Sequence, residues 1–128
     1  MVKTPSDKWK DAVIKHRKQC QSILQISNSI RYAGVINAYG RTLAGIIKSD
    51  LKSLLKSEQV KNEFFVISTL MSLRKDTSTT AGKLEHVILQ HEKVIIVILQ
   101  KGNVTFYVSI DRKEKDLEKI ISLIKKTI

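Results

Sequence analysis

The chain has 128 residues, 42% of them hydrophobic and 27% charged, and carries a formal charge of +11 from 23 Lys+Arg against 12 Asp+Glu. That length supports one domain with its own core, here residues 1–128, and the balance excludes a disordered or fibrous chain. The single Cys20 excludes an internal disulfide, and no apolar stretch nears the roughly 20 residues that a bilayer-crossing helix needs.

The N-terminal MVKTPSDKWKD has charge but no apolar run, which speaks against a secretory signal and makes the cytoplasm the expected location. Residues 1–7 are expected to be flexible. Residues 1–20 hold six Lys/Arg against two acids and residues 21–83 nine against four, so the positive excess lies in the first two thirds. Only Lys15-His16-Arg17-Lys18 is a tight basic cluster there.

Ser6 stands where it would cap a first helix. The following apolar positions, Trp9, Ala12, Val13, Cys20, Ile23 and Leu24, with His16 in phase, have the three-and-four spacing of one helical face. Ser27-Asn28-Ser29 ends that helix, because these side chains compete for backbone hydrogen bonds. Residues 30–37 and 42–47 read as two strands. Gly40 supplies the positive φ of a tight turn between them, centred on Tyr39-Gly40. A phosphate loop would lead straight into a helix, and here another strand follows, so the segment is a hairpin. In that register Gly34 and Gly45 are cross-strand neighbours. Their small size predicts close approach of a helix.

Ser49 or Asp50 is placed to cap a long second helix over residues 51–73. Its face begins at Leu51, Leu54 and Leu55, continues through Val60, Phe64, Ile67 and Met71, and is widened by Phe65, Leu70 and Leu73, so this helix reads as broadly buried. Glu58 marks a candidate kink or a break into two helices. Residues 76–82, DTSTTAG, read as a polar flexible loop. Strands over 84–90, 94–100 and 104–110 follow, the middle one apolar on both sides as in a strand covered on both faces. Asp111 and Glu114 offer a capping box for a closing helix with Leu117, Ile120, Ile121 and Ile124 on its face. The order α-β-β-α-β-β-β-α gives an α/β (α+β) domain, a five-stranded antiparallel sheet with helices on both faces.

Chemistry is harder to find. Cys20 has His16 one turn away as a conceivable base, yet the pair reads better as packed core. His86 and His91 point to opposite sides of a strand and do not share a metal. No carboxylate pair stands out, and Glu58 and Glu63 sit among lysines as solvated pairs. Tyr32 with Phe106 or Tyr107 would make a stacking platform for single-stranded nucleic acid only on an open sheet face. No catalytic residue, metal ligand or cofactor site is expected.

Two segments carry a resemblance. AGVINAYGRTLAGI is similar to the first hairpin, and KVIIVILQKGNVTFYVSI to the central hairpin, of the Roadblock (dynein light chain-type) superfamily and its profilin-like and longin relatives. The RYAGV-x-x-x-YGR run also resembles one in small uncharacterised archaeal proteins. The resemblance spans nearly the whole chain. It implies a non-catalytic homodimer, pairing through an edge strand and the middle helix, that serves as a scaffold or regulator for a protein partner such as a small GTPase.

Three readings result. In the first, residues 84–90, with Leu84, Val87 and Leu89, pair with a second copy beside the helix over 51–73, because this edge has only Glu85 to guard it. Tyr39 and Arg41 then form an exposed contact pair for a partner at the hairpin tip. In the second, a PAS- or GAF-like pocket between sheet and long helix holds a small ligand; a face filled by Phe64, Ile67 and Met71 leaves none, and ~300 Å³ or more of apolar cavity revives it. In the third, Lys8, Lys15, Arg17, Lys18, Lys52, Lys56 and Lys61 bind nucleic acid, although helices on opposite faces would split that charge into two patches.

Overall fold

Alternate residues of an extended strand point to opposite sides, so a strand that is apolar throughout needs a cover on each face. This is the case for β4 (Val94–Lys101) and β5 (Val104–Asp111). Ile95, Val97, Leu99, Phe106, Val108 and Ile110 go to one core cluster, and Val94, Ile96, Ile98 and Tyr107 to the other. The computed structural model describes residues 2–49 and 55–128. Around these two strands it places β1 (Ile30–Ile36), β2 (Thr42–Ile47) and β3 (Val87–Gln90) in an antiparallel sheet ordered β2-β1-β5-β4-β3. Helices α1 (Pro5–Leu24) and α4 (Leu117–Thr127) bring Cys20, Ile23, Ile120, Ile121 and Ile124 to the first cluster. Helix α2 (Ser57–Arg74) brings Phe64, Ile67 and Met71 to the second. The expected five-stranded sheet with helices on both faces is the fold.

Local chemistry moves several boundaries. Thr4, not Ser6, caps α1: its Oγ1 accepts from the Asp7 N–H at 3.2 Å, the Asp7 carboxylate accepts from the Thr4 N–H at 3.3 Å, and Pro5 takes the first helical position. Residues 5–7, expected to be flexible, are thus the first turn of the helix. Helix α2 starts at Ser57 with Glu58 in its first turn, so a helix begins where a kink or a break was expected. The expected cap Asp50, with Leu51, Lys52, Ser53 and Leu54 of the expected helix, lies outside the described residues. The predicted loop DTSTTAG is helical instead, a 3-10 turn over Lys75–Thr77 running into the short α3 (Ser78–Ala81). There the hydroxyls of Thr77 and Ser78 donate to the carbonyls of Arg74 and Lys75 at 2.9 and 2.7 Å, so their polarity is spent on the turn itself. Strand β3 is confined to Val87–Gln90, shorter than residues 84–90.

The first hairpin differs from expectation in its turn and in what lies on it. Gly34 and Gly45 are paired as expected. The loop, however, is Ala38-Tyr39-Gly40, closed by the Asn37 N–H donating to the Arg41 carbonyl at 2.9 Å and the Gly40 N–H donating to the Asn37 carbonyl at 3.0 Å. The Asn37 Oδ1 also accepts from the N–H groups of Tyr39 and Arg41 at 2.9 and 3.0 Å, which holds the tip rigid. A bulge at Leu43, between the pairs Val35↔Ala44 and Ile36↔Thr42, absorbs the odd residue. A second bulge at Arg31 turns Tyr32 to the α2 side, while Ile30 faces α1 and α4. The phenol of Tyr32 then lies across the glycine pair: a Cβ at Gly34 or at Gly45 would stand 2.4 Å from its hydroxyl oxygen. A tyrosine ring, not a helix, fills the space the glycines leave.

The start of α4 is set by Asp116, whose Oδ1 accepts from the Lys119 N–H at 3.2 Å, and not by the expected Asp111–Glu114 box. Glu114 instead ties the end of α1 to the end of β5. Its Oε1 accepts from the hydroxyls of Ser29 at 2.7 Å and Ser27 at 3.3 Å, and its Oε2 accepts from the Asp116 N–H at 3.0 Å.

Two predictions follow from these contacts. Gly40 has φ of +81°, and a Cβ there would sit 2.9 Å from the Phe64 carbonyl oxygen, whereas Gly102, at +61°, has open space around it. Urea unfolding should show Gly40→Ala losing ~2 kcal/mol or more and Gly102→Ala only ~1 kcal/mol, the cost of the backbone conformation alone. Equal losses would show that the contact with α2 is dispensable. The Asp116 N–H, then Ser29, hold the Glu114 carboxyl below its ordinary 4.5. A depressed folded pKa stabilises the protein above the unfolded value, and that contribution disappears as pH falls through the folded one. The urea midpoint of Glu114→Gln should therefore lie below wild type at pH ~7 and converge with it as pH falls through the folded value. A gap that persists in acid would mean that shape, not charge, is what Glu114 supplies.

Candidate functional site

Helix α2 has no charged residue from Phe64 to Leu73. A helix apolar on all sides is normally buried on all sides. One sheet face reaches only Phe64, Ile67, Ser68 and Met71, and the opposite side stays in water: Phe65 is 64%, Val66 60% and Leu73 63% exposed. Phe65 and Leu73, expected to broaden the buried stripe, are thus surface residues. Each such side chain gains about 1.5–3 kcal/mol on full burial, so a surface presenting three of them in one helix is ready to associate.

The hairpin tip meets the same helix. The backbone of Gly40 packs against Phe64 and Phe65, which sets the β1–β2 turn beside the outward side of α2. Tyr39 is 81% exposed and Arg41 is exposed too, on a loop fixed by Asn37. Of the other proposed contact residues, Leu84, Val87 and Leu89 are half-buried and pack on the α2-side cluster. The backbone of β3 remains for a partner at that edge, with the outward Ile88, 40% exposed, and Gln90. Sequence reasoning missed Val66 and Ile88 and misplaced Phe65 and Leu73. The signal present was the uncharged run itself, too wide for one sheet face to cover.

A second feature opens on the same side, near the start of α2. A cleft of about 480 Å³ lies among Tyr32, Tyr107, Val94 and Ile96 on the sheet and Val60, Glu63 and Phe64 on the helix, with His91 and Lys93 at its rim. Phe64, Ile67 and Met71 do fill the sheet face farther along the helix, as expected, but not here. The Tyr107 ring stands edge-on to Phe64 at 4.9 Å and to Tyr32 at 6.2 Å between centroids. Burial pushes the Tyr32 phenol up to about 12; burial, then Glu63 and Tyr32, raises that of Tyr107 as well. Both hydroxyls stay protonated at neutral pH and are available as donors. Phe106 faces the other helix layer, so the three rings do not form one stacking platform.

The titratable candidates are structural. Cys20 is fully buried, and desolvation, partly offset by Arg17, pushes its thiol up to about 11, so it is neither ionised nor accessible. His16 pairs through Nδ1 with Gln19 Oε1 at 2.9 Å and sets its ring edge-on to Phe106. His86 precedes β3 rather than lying in it, and His91 follows it. Among the described residues no three His, Cys, Asp or Glu side chains are grouped as metal ligands, and no helix is long and apolar enough to cross a membrane. Lys8, Lys15, Arg17 and Lys18 are exposed on α1, while Lys56 and Lys61 are exposed at the start of α2 on the other side of the sheet. Lys52 lies outside the described residues.

No protein-family model matches this sequence, and no curated protein matches it. Solved structures do match in shape. MglB from Myxococcus xanthus superposes with a TM-score of 0.68 at 11% identity, covering 88% of this chain and 88% of its own. A Roadblock/LC7 domain from Streptomyces avermitilis gives 0.63 at 11% identity, over 87% of this chain and 92% of its own. Profilin from Schizosaccharomyces pombe gives 0.58 at 12% identity, over 87% and 94%. At such identities the likeness is one of fold: the chain has the Roadblock/profilin-like architecture.

Proposed function

We propose that this protein is a non-catalytic interaction or regulatory module that works as a homodimer and presents its hairpin tip to a protein partner, a small GTPase being the class that the Roadblock resemblance suggests. One observation carries the reading: the uncharged outward side of α2, with Phe65, Val66 and Leu73 in water, next to Tyr39 and Arg41. Burying that side against its own copy would cover three large side chains twice. The free backbone of β3 adds donors and acceptors at the sheet edge. Aromatic and arginine side chains on a rigid turn are the types most enriched where partners bind. The fold shared with MglB and Roadblock/LC7 domains is consistent with such a role.

Light scattering across micromolar concentrations should give a dimer for the wild type and a monomer for Phe65→Asp with Leu73→Asp. The melting of that monomer should remain cooperative, because neither residue is buried in the chain. Tyr39→Ala with Arg41→Ala should stay dimeric and melt within about 1–2 °C of wild type, as exposed substitutions change stability little, while losing capture of GTP- or GDP-loaded small GTPases. A wild-type protein that is monomeric throughout removes the dimer.

A second reading, a small-ligand sensor, is favoured by the 480 Å³ cleft, which falls within the usual ~300–1,000 Å³ of ligand pockets. Its apolar walls, phenol donors and rim charges of both signs suit a neutral flat aromatic molecule bearing a carbonyl or ring-nitrogen acceptor. Prodan, a neutral naphthalene ketone whose emission shifts in apolar surroundings, should bind saturably. Val60→Trp should abolish that binding, and Tyr107→Phe should weaken it about fivefold, the worth of one hydrogen bond. Binding indifferent to both changes would place the dye elsewhere.

A further inference from the structure

The charge of the three long helices is sorted by layer in a way their sequence order conceals. Helix α2 is neutral, with two Lys/Arg against two acids. On the far side of the sheet α1 carries five Lys/Arg against two acids, and α4, packed beside it, carries three lysines against one. All eight cations are exposed. Both acids of α1 are already engaged: Asp7 in the cap with Thr4, Asp11 with Lys3. Lys15 and Lys18 line a shallow depression with Asp11 and with Thr127 at the end of α4, so the two helices share one surface.

Ile14 stands among these cations, 54% exposed beside Lys15 and Lys18, whereas Trp9, 60% exposed, lies near the start of α1 between Lys8 and Lys10 in sequence, on the side that is buried farther along the helix. Trp9 is in phase with the buried stripe through Val13, Cys20 and Ile23, but residues 5–12 are exposed throughout, because this end of α1 runs past its packing partners. A tryptophan there contributes nothing to the core that its phase predicts.

We infer that the α1–α4 layer is a docking surface for an anionic lipid bilayer, with the free end of α1 seated at the headgroup level. Lysines attract anionic headgroups at about 1 kcal/mol each near the surface, and tryptophan partitions to the interface between headgroups and acyl chains. Charge alone would equally draw nucleic acid. The layer, however, has seven lysines to one arginine, no aromatic stacking platform, and exposed Trp9 and Ile14 that a phosphate backbone does not use. Attachment of this kind is reversible and lies on the membrane, spanning nothing.

Trp9 is the only tryptophan, so its own fluorescence reads the contact. With vesicles of phosphatidylcholine plus phosphatidylglycerol its emission should shift to the blue and become shielded from acrylamide, and the protein should float with them. With phosphatidylcholine alone neither should happen. Neutralising Lys15 or Lys18 to Gln should weaken partition about fivefold each. Trp9→Phe, read by flotation, should weaken it less than Trp9→Ser, and circular dichroism should show all variants folded. The inference is overturned if Trp9 stays in water, if neutral vesicles bind as well, or if duplex or single-stranded oligonucleotides bind the wild type and Trp9→Ser alike while vesicles bind neither.

Discussion

The pairing of β5 with both β1 and β4 sets the rest of the molecule. These strands join two separate hairpin units, and β4 and β5 send large apolar side chains to both faces, Phe106 and Val108 one way and Tyr107 and Ile98 the other. A sheet of that kind is unstable in water on either side. At about 1.5–3 kcal/mol for each fully buried Ile, Val or Phe, covering it outweighs the poor intrinsic stability of short helices. The 11 residues of α4 would not persist alone, and Ile120, Ile121 and Ile124 hold them to the sheet. The two helix layers are thus consequences of the strands, not independent units that meet them.

The two faces are not covered alike. On the α1–α4 side the core is continuous from Ala44 to Ile124. On the α2 side, among the described residues, α2 is the one long helix over the sheet, and the bulge at Arg31 changes what it must cover. By rotating Tyr32 to that side, the bulge lays a phenol over Gly34 and Gly45, so side-chain bulk from β1 takes the place of bulk missing from both strands. The helix packs over Ile36, Ile96, Ile98 and Tyr107, and the space near its start remains as the cleft. Among the described residues the cleft and the outward Phe65 have one origin, a helix α2 too narrow for its sheet and too apolar for its solvent side.

What was legible in the sequence follows the range of the interaction concerned. Period-two and period-3.6 patterns are properties of neighbouring residues, and they placed all five strands and the helices α1, α2 and α4. The order of those elements carried the fold. Caps were misplaced by a few positions because Thr4 and Ser6, or Asp111 and Asp116, are chemically similar candidates, and only the emerging chain direction chooses between them. Bulges at Arg31 and Leu43 leave no local mark, since each is a compromise with a partner strand far away in sequence. Exposure of Phe65 and Leu73 was hidden for the same reason: a pattern shows that a side chain is apolar, not whether anything lies above it. Tyr39 and Arg41 were readable as exposed because a turn residue beside glycine has few other places to go. Their proximity to Phe65 depends on the contact of Gly40 with α2 and was not readable.

Opposite placement of the two surfaces has a further consequence for how they would act together. The apolar side of α2 and the cationic α1–α4 layer lie on opposite sides of one sheet, so joining two copies through α2 would leave both cationic layers uncovered. Whether the two could then touch one flat surface depends on how far the pairing twists them apart. If they can, attachment of one protomer raises the effective concentration of the other at that surface, and two weak contacts act as a strong one without any added residue. If they cannot, the second layer faces away and is free for another anionic body. Crossing angle at the α2 interface, fixed by how Phe65, Val66 and Leu73 interdigitate with their copies, is therefore the quantity that would couple dimer formation to charge, and no residue of the cationic layer need change for that coupling to change.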